Sequence, residues 1–210
     1  MPHAVSVSES RTRVWDPFVR VFHWSLVGLF AIAYLSGDEE SFLHVYAGYV
    51  VIGLIALRVV WGFVGPRHAR FADFVRSPAT VRAYARHYLR GRARRYLGHN
   101  PLGGAMVIAL LASVLLTALT GFGMRQMENE GYLAGLSLPT LVAEARADDD
   151  REGGPAREAL EETHEFFANF TLLLIALHVA GVLAGSLLHR ENLIRSMVNG
   201  DKRPLTEGEH

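Results

Sequence analysis

The sequence predicts an all-α membrane protein, a four-helix transmembrane bundle whose two termini both face the cytoplasm. Apolar residues make up 50% of the 210-residue chain, and most of them lie in four long blocks with almost no formal charge. Each block is close to the roughly 20 apolar residues with which a helix crosses a bilayer. Basic and acidic residues segregate into different connecting segments. We therefore expect one membrane domain over residues 1–210 rather than soluble domains.

The first span is predicted over about residues 18–36. Trp15 and Trp24 flank its entry, and indole rings favour the headgroup level of a membrane. Pro17 suits a first helical turn, because its missing N–H would be unpaired there. A cleaved secretory signal is the alternative, since Ala31-Ile32-Ala33 resembles a cleavage site. That triplet lies inside the apolar run, which favours the membrane span.

Three further spans follow along the chain. The second is predicted over about residues 42–64, where Gly65 and Pro66 stop the helix. The third is predicted over about residues 101–122 and the fourth over about residues 160–188. An even number of spans returns the chain to the side from which it started.

Charge divides between the two sides of this predicted bundle. The loop over residues 65–100 is rich in arginine, and the polar tails 1–13 and 189–210 add further basic residues. The loop over residues 123–159 and the short turn at residues 38–40 are acidic. The positive-inside rule then predicts cytoplasmic termini and a cytoplasmic basic loop, in a multi-pass protein of the bacterial inner membrane.

The basic loop contains one segment, residues 78–89, with the spacing of an amphipathic helix. Val81, Tyr84 and Tyr88 recur at intervals of three and four residues, with arginines between them. This pattern is typical of a helix that lies on a membrane surface. A solvated basic loop is the alternative.

Four histidines lie within the apolar spans, at two depths. His23 and His178 fall near the cytoplasmic side, and His44 and His164 near the periplasmic side. On a helix, His164 and His178 would be about 21 Å apart along the axis. The directions of their side chains around that axis would differ by about 40°, so both lie on one face. One helix can thus supply a ligand to each of two stacked groups, while the first two spans supply the partner ligands.

Paired histidines at one depth suit the iron of a b-type haem. Neutral imidazole is a good axial ligand, and a bis-His site leaves no open position for substrate, so it transfers electrons. The chain has no cysteine, which excludes disulfides, thiolate-bound iron–sulfur clusters and covalent haem attachment. Gly48 and Gly181 would let a flat porphyrin approach the helices. We therefore expect two non-covalent haem b groups. For any single histidine, an interhelical hydrogen bond or a proton relay is the alternative.

Other polar residues near the spans allow two interpretations. Arg20 and Arg58 either pair with haem propionates or extend to the membrane surface. Gly181 and Gly185 form a G-x-x-x-G pattern that helix packing alone would explain. The remaining six histidines are expected at the surface: His3, His68, His87, His99, His189 and His210.

Short motifs over residues 14–195 carry a resemblance to a known family: Trp15-Asp16, Arg20-Val21-Phe22-His23-Trp24, Leu43-His44, Gly48-Tyr49, Arg58, Trp61-Gly62-Phe63, His68-Ala69-Arg70-Phe71, His164-Glu165, Ala168-Asn169, His178 with Gly181, and His189-Arg190-Glu191-Asn192. Through them the chain resembles the bacterial cytochrome b561 family, which includes the cytochrome b subunits of nickel–iron hydrogenases. The resemblance implies a four-helix membrane cytochrome with two b haems ligated from the first, second and fourth helices. It also implies electron transfer between a redox partner and the quinone pool.

The predicted function is that of a di-haem electron carrier without catalytic residues of its own. Its partners would be the lipid bilayer, a quinone as substrate and a redox protein of the hydrogenase or cytochrome c type. It would then serve as the membrane subunit of an oxidoreductase complex. No nucleic-acid partner is expected, and a homodimer is left as an alternative to a monomer. A stand-alone oxidoreductase that oxidises superoxide or a small molecule and reduces quinone is the alternative. A transporter or metal channel that uses the same histidines is a third reading.

The acidic loop suggests one further hypothesis. A negative patch on the side of His44 and His164 would attract a basic redox partner and speed its encounter, an effect that salt weakens. A solvated spacer is the alternative. Neutralising Asp148, Asp149 and Asp150 together would separate the two, because only the first hypothesis predicts slower electron exchange at low salt.

Overall fold

A computed structural model describes residues 11–37, 41–127 and 154–205 of the chain. Most of the acidic loop, with Asp148, Asp149 and Asp150, lies outside the described residues. In chain order the elements are β1 (Thr12–Arg13), α1 (Pro17–Leu35), α2 (Phe42–Val64), α3 (Phe71–Phe74), α4 (Pro78–Leu89), α5 (Pro101–Met127), α6 (Pro155–Leu188), α7 (Leu193–Asn199) and β2 (Asp201–Lys202), with a 3-10 turn over Arg67–Ala69.

Four of these helices, α1, α2, α5 and α6, are long and apolar enough to cross a membrane, which confirms the four predicted spans. Large apolar side chains such as Phe63 and Leu187 are exposed on them, as a lipid-facing surface requires. Two ends differ from the prediction. α5 continues through Gly121 and Gly123 to Met127, because a glycine inside a helix costs only about 1 kcal/mol relative to alanine. α6 already begins at Pro155, which suits a first helical turn.

The chain divides into two compact units, each described by itself. The first comprises residues 1–23, 58–108 and 176–210, and the second comprises residues 24–57 and 109–175. The four long helices each contribute residues to both units.

The second unit has a small apolar core around one buried polar pair. Val51, Ile55 and Val114 are buried and are surrounded by partly buried apolar side chains of α1 and α5. The hydroxyl groups of Ser113 and Thr171 form a buried 2.6 Å hydrogen bond between α5 and α6, and Thr171 is 0% exposed. This bond satisfies two polar groups that no water can reach in a bilayer.

In the first unit, two short strands join the ends of the described chain. β1 and β2 pair antiparallel, with Thr12 opposite Lys202. Gly200 ends α7 with φ of 92°, a left-handed conformation that glycine adopts at no steric cost. A Cβ at Gly200 would also lie 2.7 Å from the carbonyl oxygen of Trp15. Glycine therefore allows α1 and α7 to approach each other.

A buried ionic cluster, Arg95–Glu191–Lys202, holds the same region together. Arg95 donates from Nη2 and Nε to the two carboxylate oxygens of Glu191, at 2.7 and 3.3 Å. Lys202 Nζ donates to the carbonyl oxygens of Tyr96 and Leu97, at 3.3 and 2.9 Å. All three charged side chains are buried. The cluster links the segment before α5 to the segments on both sides of α7.

Within the cluster, Glu191 and Lys202 have shifted pKa values. Burial acts to raise the pKa of Glu191, but hydrogen bonds from Arg95 and the charge of Lys202 outweigh it, so this pKa lies below its ordinary 4.5. Burial lowers the pKa of Lys202 to about 8, and Glu191 opposes that shift. Glu191 and Lys202 are therefore both charged at neutral pH.

The segment expected to be amphipathic forms the helix α4, whose Ser77 side chain caps its first turn. The Tyr84 hydroxyl donates to the carbonyl oxygen of Arg94, and the Tyr88 hydroxyl donates to that of Gly181. A Cβ at Gly185 would lie 3.3 Å from the Tyr88 hydroxyl. The G-x-x-x-G face of α6 thus receives a side chain of α4.

Glu191→Gln should destabilise the protein by roughly 3–5 kcal/mol, because it leaves two buried cations without their carboxylate. Thermal melting in detergent at pH 7, followed by circular dichroism, measures the loss. The stabilisation should be fully present above the ordinary pKa of 4.5 and should be lost as the pH falls through the lowered folded value. Glu158→Gln, on the exposed first turn of α6, is the control. Equal melting temperatures for the two variants would contradict this account of the cluster.

Candidate functional site

Each unit brings together two of the four histidines from the apolar spans. In the first unit, the ring centroids of His23 on α1 and His178 on α6 are 6.4 Å apart. In the second unit, those of His44 on α2 and His164 on α6 are 5.8 Å apart. The four rings are partly buried. Each pair therefore joins imidazoles from two different membrane helices.

The separation within each pair fits one metal ion between the rings. Imidazole nitrogen binds a transition-metal ion at about 2 Å, so two imidazoles on opposite sides of one ion keep their centroids roughly 6 Å apart. The observed distances of 6.4 and 5.8 Å are on this scale. The ligand role of the four histidines stays a prediction.

Hydrogen bonds determine the protonation of the second unit's pair. His44 Nδ1 lies 2.8 Å from the carbonyl oxygen of Ala33, and His164 Nδ1 lies 2.8 Å from that of Thr117. A carbonyl oxygen only accepts hydrogen bonds, so each Nδ1 must carry the proton. In a neutral imidazole with its proton on Nδ1, Nε2 is unprotonated and available to a metal ion, the usual arrangement of metal-binding histidine.

The backbone around His164 leaves room for its ring and little more. A Cβ at Gly121 would lie 3.0 Å from His164 Cε1 and 3.2 Å from Nδ1. Thr120 Oγ1 lies 3.2 Å from the same Nδ1 and donates to the carbonyl oxygen of Leu116. The ring is therefore held by Thr117, Thr120 and Gly121, three residues of one turn of α5.

Two glycines near the histidines have open space beside them. A Cβ at Gly48, one turn after His44, would meet no atom within 4 Å, and the same holds for Gly181, three residues after His178. A flat macrocycle can approach the helix backbone at such positions. The donor set of two imidazoles per unit and the open faces beside them thus fit a haem in each unit.

The two arginines predicted near the cofactors have different surroundings. Arg58 is only 3% exposed, so it does not extend to the membrane surface. Its Nη2 donates to the carbonyl oxygen of Ala69 at 3.1 Å, and no carboxylate in the described residues forms an ion pair with it. A buried cation of this kind requires an anion. Arg20 Nη1 donates to the carbonyl oxygen of Val198 at 2.6 Å, which attaches α1 to the last turn of α7.

His99 was expected at the surface, and that expectation is wrong. Its ring packs against Trp15 and Phe74, with centroid distances of 4.6 and 4.7 Å, and its Nδ1 is buried. Burial, assisted by the charges of Arg58 and Lys202, lowers the pKa of His99 to about 3, so the ring is neutral at physiological pH. The sequence signal for this burial is the position of His99 just before Pro101, the first residue of a membrane span.

His68 is also less exposed than expected. Its Nδ1 lies 2.9 Å from Asp73 Oδ2, and both side chains are largely buried. Burial acts to raise the pKa of Asp73, but hydrogen bonds from His68 and Arg67 outweigh it and lower this pKa. His68 therefore orders the segment between α2 and α4.

Comparison with known proteins gives one family and several relatives. The family model described as prokaryotic cytochrome b561 matches residues 14–200. A probable Ni/Fe-hydrogenase B-type cytochrome subunit of Cupriavidus necator is 24% identical, over 90% of this chain and 86% of its own length. Proteins of the same description from Azotobacter vinelandii and Azotobacter chroococcum are 27% and 28% identical, over 91% of this chain and 90% of their own lengths. No solved structure matches.

Gly121→Ala should disturb the His44–His164 pair and leave the His23–His178 pair unchanged. The new methyl group lies within 3.0 Å of the His164 ring, and overpacking of this kind typically costs about 1–3 kcal/mol. Redox titration of the b-type absorbance should show one component shifted and one unchanged.

Gly123→Ala is the matched control, because its Cβ would meet Leu160 at an ordinary 3.4 Å. This control should stabilise α5 by up to about 1 kcal/mol. Identical titrations for the two variants would show that Gly121 does not make room for His164.

Proposed function

The chain belongs to the prokaryotic cytochrome b561 family, and on that premise we propose that it is a di-haem b-type cytochrome. It would pass electrons between a redox protein and the quinone pool of the bacterial inner membrane. As a member of this family it is a multi-pass membrane protein that binds haem b and transfers electrons. The observation that carries the finer proposal is the pairing of imidazoles across two helices in each unit.

Four histidines would hold the two haems without covalent bonds. His23 and His178 would ligate one iron on the cytoplasmic side, and His44 and His164 the other on the periplasmic side. When bound, each haem supplies one-electron redox chemistry. The contribution of the chain is to orient the rings, and the carbonyl oxygens of residues 33 and 117 do this for the second pair.

Two properties of these sites favour electron transfer over catalysis at iron. Two imidazoles per iron leave no coordination position for a substrate. Among the described residues, the apolar core of the second unit, which includes Ile55 and Val114, offers no charged or nucleophilic group for catalysis. Arg58 would bind a propionate, since it is a buried cation with which no carboxylate of the described segments forms an ion pair. A stand-alone oxidoreductase stays a prediction without support from a described residue.

The redox partner is proposed from the relatives' names. Those relatives are described as probable Ni/Fe-hydrogenase B-type cytochrome subunits, and we infer the same kind of partner for this chain. A soluble cytochrome c is the other candidate. Quinone would be the membrane-side electron acceptor or donor, and a homodimer stays a prediction.

The exposed charges support the proposed orientation in the membrane. Arg76, Arg82, Arg86 and Arg90, on or beside α4, are all exposed, and they belong to the loop that the positive-inside rule assigns to the cytoplasm. Both termini would share that side.

The purified protein should contain two haems per chain. His164→Ala and His178→Ala should each lose a different haem, because each removes one ligand from a different pair. Haem content by pyridine hemochrome and the redox components of each variant measure this. His87→Ala, on the exposed face of α4, should keep both haems. One haem in the unaltered protein, or loss of the same haem from both variants, would contradict the di-haem proposal.

The orientation has its own measurement. A reporter fused after His210 should be active only as a cytoplasmic reporter, and one inserted near Asp149 only as a periplasmic one. Reversed activities would invert the assignment of the two haems to the two sides of the membrane.

Electron transfer can be followed directly in proteoliposomes. With the nickel–iron hydrogenase of the same cells and hydrogen, the reduced b-type band should appear, and added quinone should remove it. Haems that dithionite reduces but that hydrogenase does not would refute the hydrogenase as partner. The same proteoliposomes would then be tested with reduced cytochrome c.

A further inference from the structure

Several buried side-chain nitrogen atoms of the first unit have no hydrogen-bond partner in the described part of the chain: Arg20 Nε, Arg58 Nη1, Trp61 Nε1 and His99 Nδ1. Buried polar atoms are almost always paired, and a buried cation needs a compensating anion. These atoms therefore indicate a polar group that is not part of the described residues.

Two of these atoms, Arg58 Nη1 and His99 Nδ1, belong to side chains at the two ends of a series of aromatic contacts. The guanidinium of Arg58 lies 5.2 Å from the ring centroid of Phe71. Phe71 contacts Phe74 at 5.8 Å between centroids, and Phe74 contacts His99 at 4.7 Å. Arg58 and His178 are both near enough to influence the protonation of His99 electrostatically. A series of contacts thus runs from Arg58 through Phe71 and Phe74 to His99 in the unit that also contains the candidate ligand His178.

The three carboxylates around these contacts already accept hydrogen bonds from other residues of the chain. Asp16 accepts a hydrogen bond from the backbone N–H of Val19. Asp73 accepts from Arg67 and His68, and Glu191 accepts from Arg95. None of these three carboxylates forms an ion pair with Arg58, and Asp16 acts on it only through its charge, from beyond ion-pair distance. Within the described residues, no anion is therefore in contact with the Arg58 guanidinium.

We propose that His99 is a positioning residue for the cytoplasmic-side haem, and that its Nδ1–H binds the same propionate carboxylate as Nη1 of Arg58. The proposal rests on the proposed function, since that haem is held by His23 and His178. The charges balance, because a neutral imidazole, one guanidinium and one carboxylate sum to zero. A second cation in this place would leave a net charge in an apolar environment.

This hydrogen bond has a consequence for the redox equilibrium of the iron. A donor that withdraws negative charge from the propionate makes the neighbourhood of the iron less negative and favours the ferrous state. Removing the donor should therefore favour the ferric state of the cytoplasmic-side haem alone. The bond exists in both oxidation states, so only the difference in its strength enters this equilibrium, and we expect that difference to correspond to a change of about tenfold.

The test uses the full-length holoprotein with two apolar replacements, His99→Phe and His99→Met, and the rescue variant His99→Asn. The asparagine amide nitrogen can take the position of Nδ1. In the apolar variants the ferric-to-ferrous equilibrium of one haem should shift about tenfold toward ferric, which is about 59 mV for one electron. The other haem should not shift. His99→Asn and the control His87→Phe should titrate like the unaltered protein.

Redox-difference infrared spectroscopy with haem labelled with carbon-13 at the propionates gives a second readout. The carboxylate band of one haem should move in His99→Phe and return in His99→Asn. If the apolar variants lose the cytoplasmic-side haem altogether, restoration of that haem by His99→Asn supports the proposal, and failure to restore it overturns it. Two bound haems with unchanged potential and unchanged band in His99→Phe would also overturn it. Fewer than two haems in the unaltered protein would instead refute the proposed function.

Discussion

The requirement that every polar group inside a bilayer be satisfied within the protein governs this structure. The histidines of the second unit meet it with Nδ1, which donates to the backbone carbonyl oxygens of Ala33 and Thr117. Ser113 and Thr171 meet it by pairing with each other. One consequence reaches the site itself, because a histidine whose Nδ1 is occupied in this way can present only Nε2 to a metal ion.

In the first unit, outside the membrane-spanning segments, buried groups compensate one another with charges rather than hydroxyl groups. Glu191 compensates Arg95 and Lys202, and the resulting cluster ties the segment before α5 to the end of α7. Arg58 differs, since no carboxylate in the described residues forms an ion pair with its buried guanidinium. A site that needs an anionic cofactor can leave a cation uncompensated in this way, because the cofactor supplies the missing charge on binding.

The four spans were predictable because apolar length depends on no distant residue. The end of α5 was not, since Gly121 resembles a stop signal although one glycine costs a helix little. The depth of the four histidines followed from their place along the spans, whereas their hydrogen bonds did not, because a backbone carbonyl acceptor has no signature in the sequence. His99 was misread for a related reason. Its burial depends on Trp15, which is remote in the sequence and packs against its ring.

The pairing of β1 with β2 has a consequence for biosynthesis. Thr12 pairs with Lys202, and roughly 190 residues lie between them, so at about 5–20 residues per second roughly 10–40 s of translation separate the two strands. The first span therefore enters the membrane well before its partner strand has left the ribosome. During that interval Arg95 also has no ion pair with Glu191, because residue 191 has not yet been synthesised. This part of the first unit can form only after synthesis has passed the last span. For that period the helices are inserted but are not yet held together by the strand pair and the ion pair.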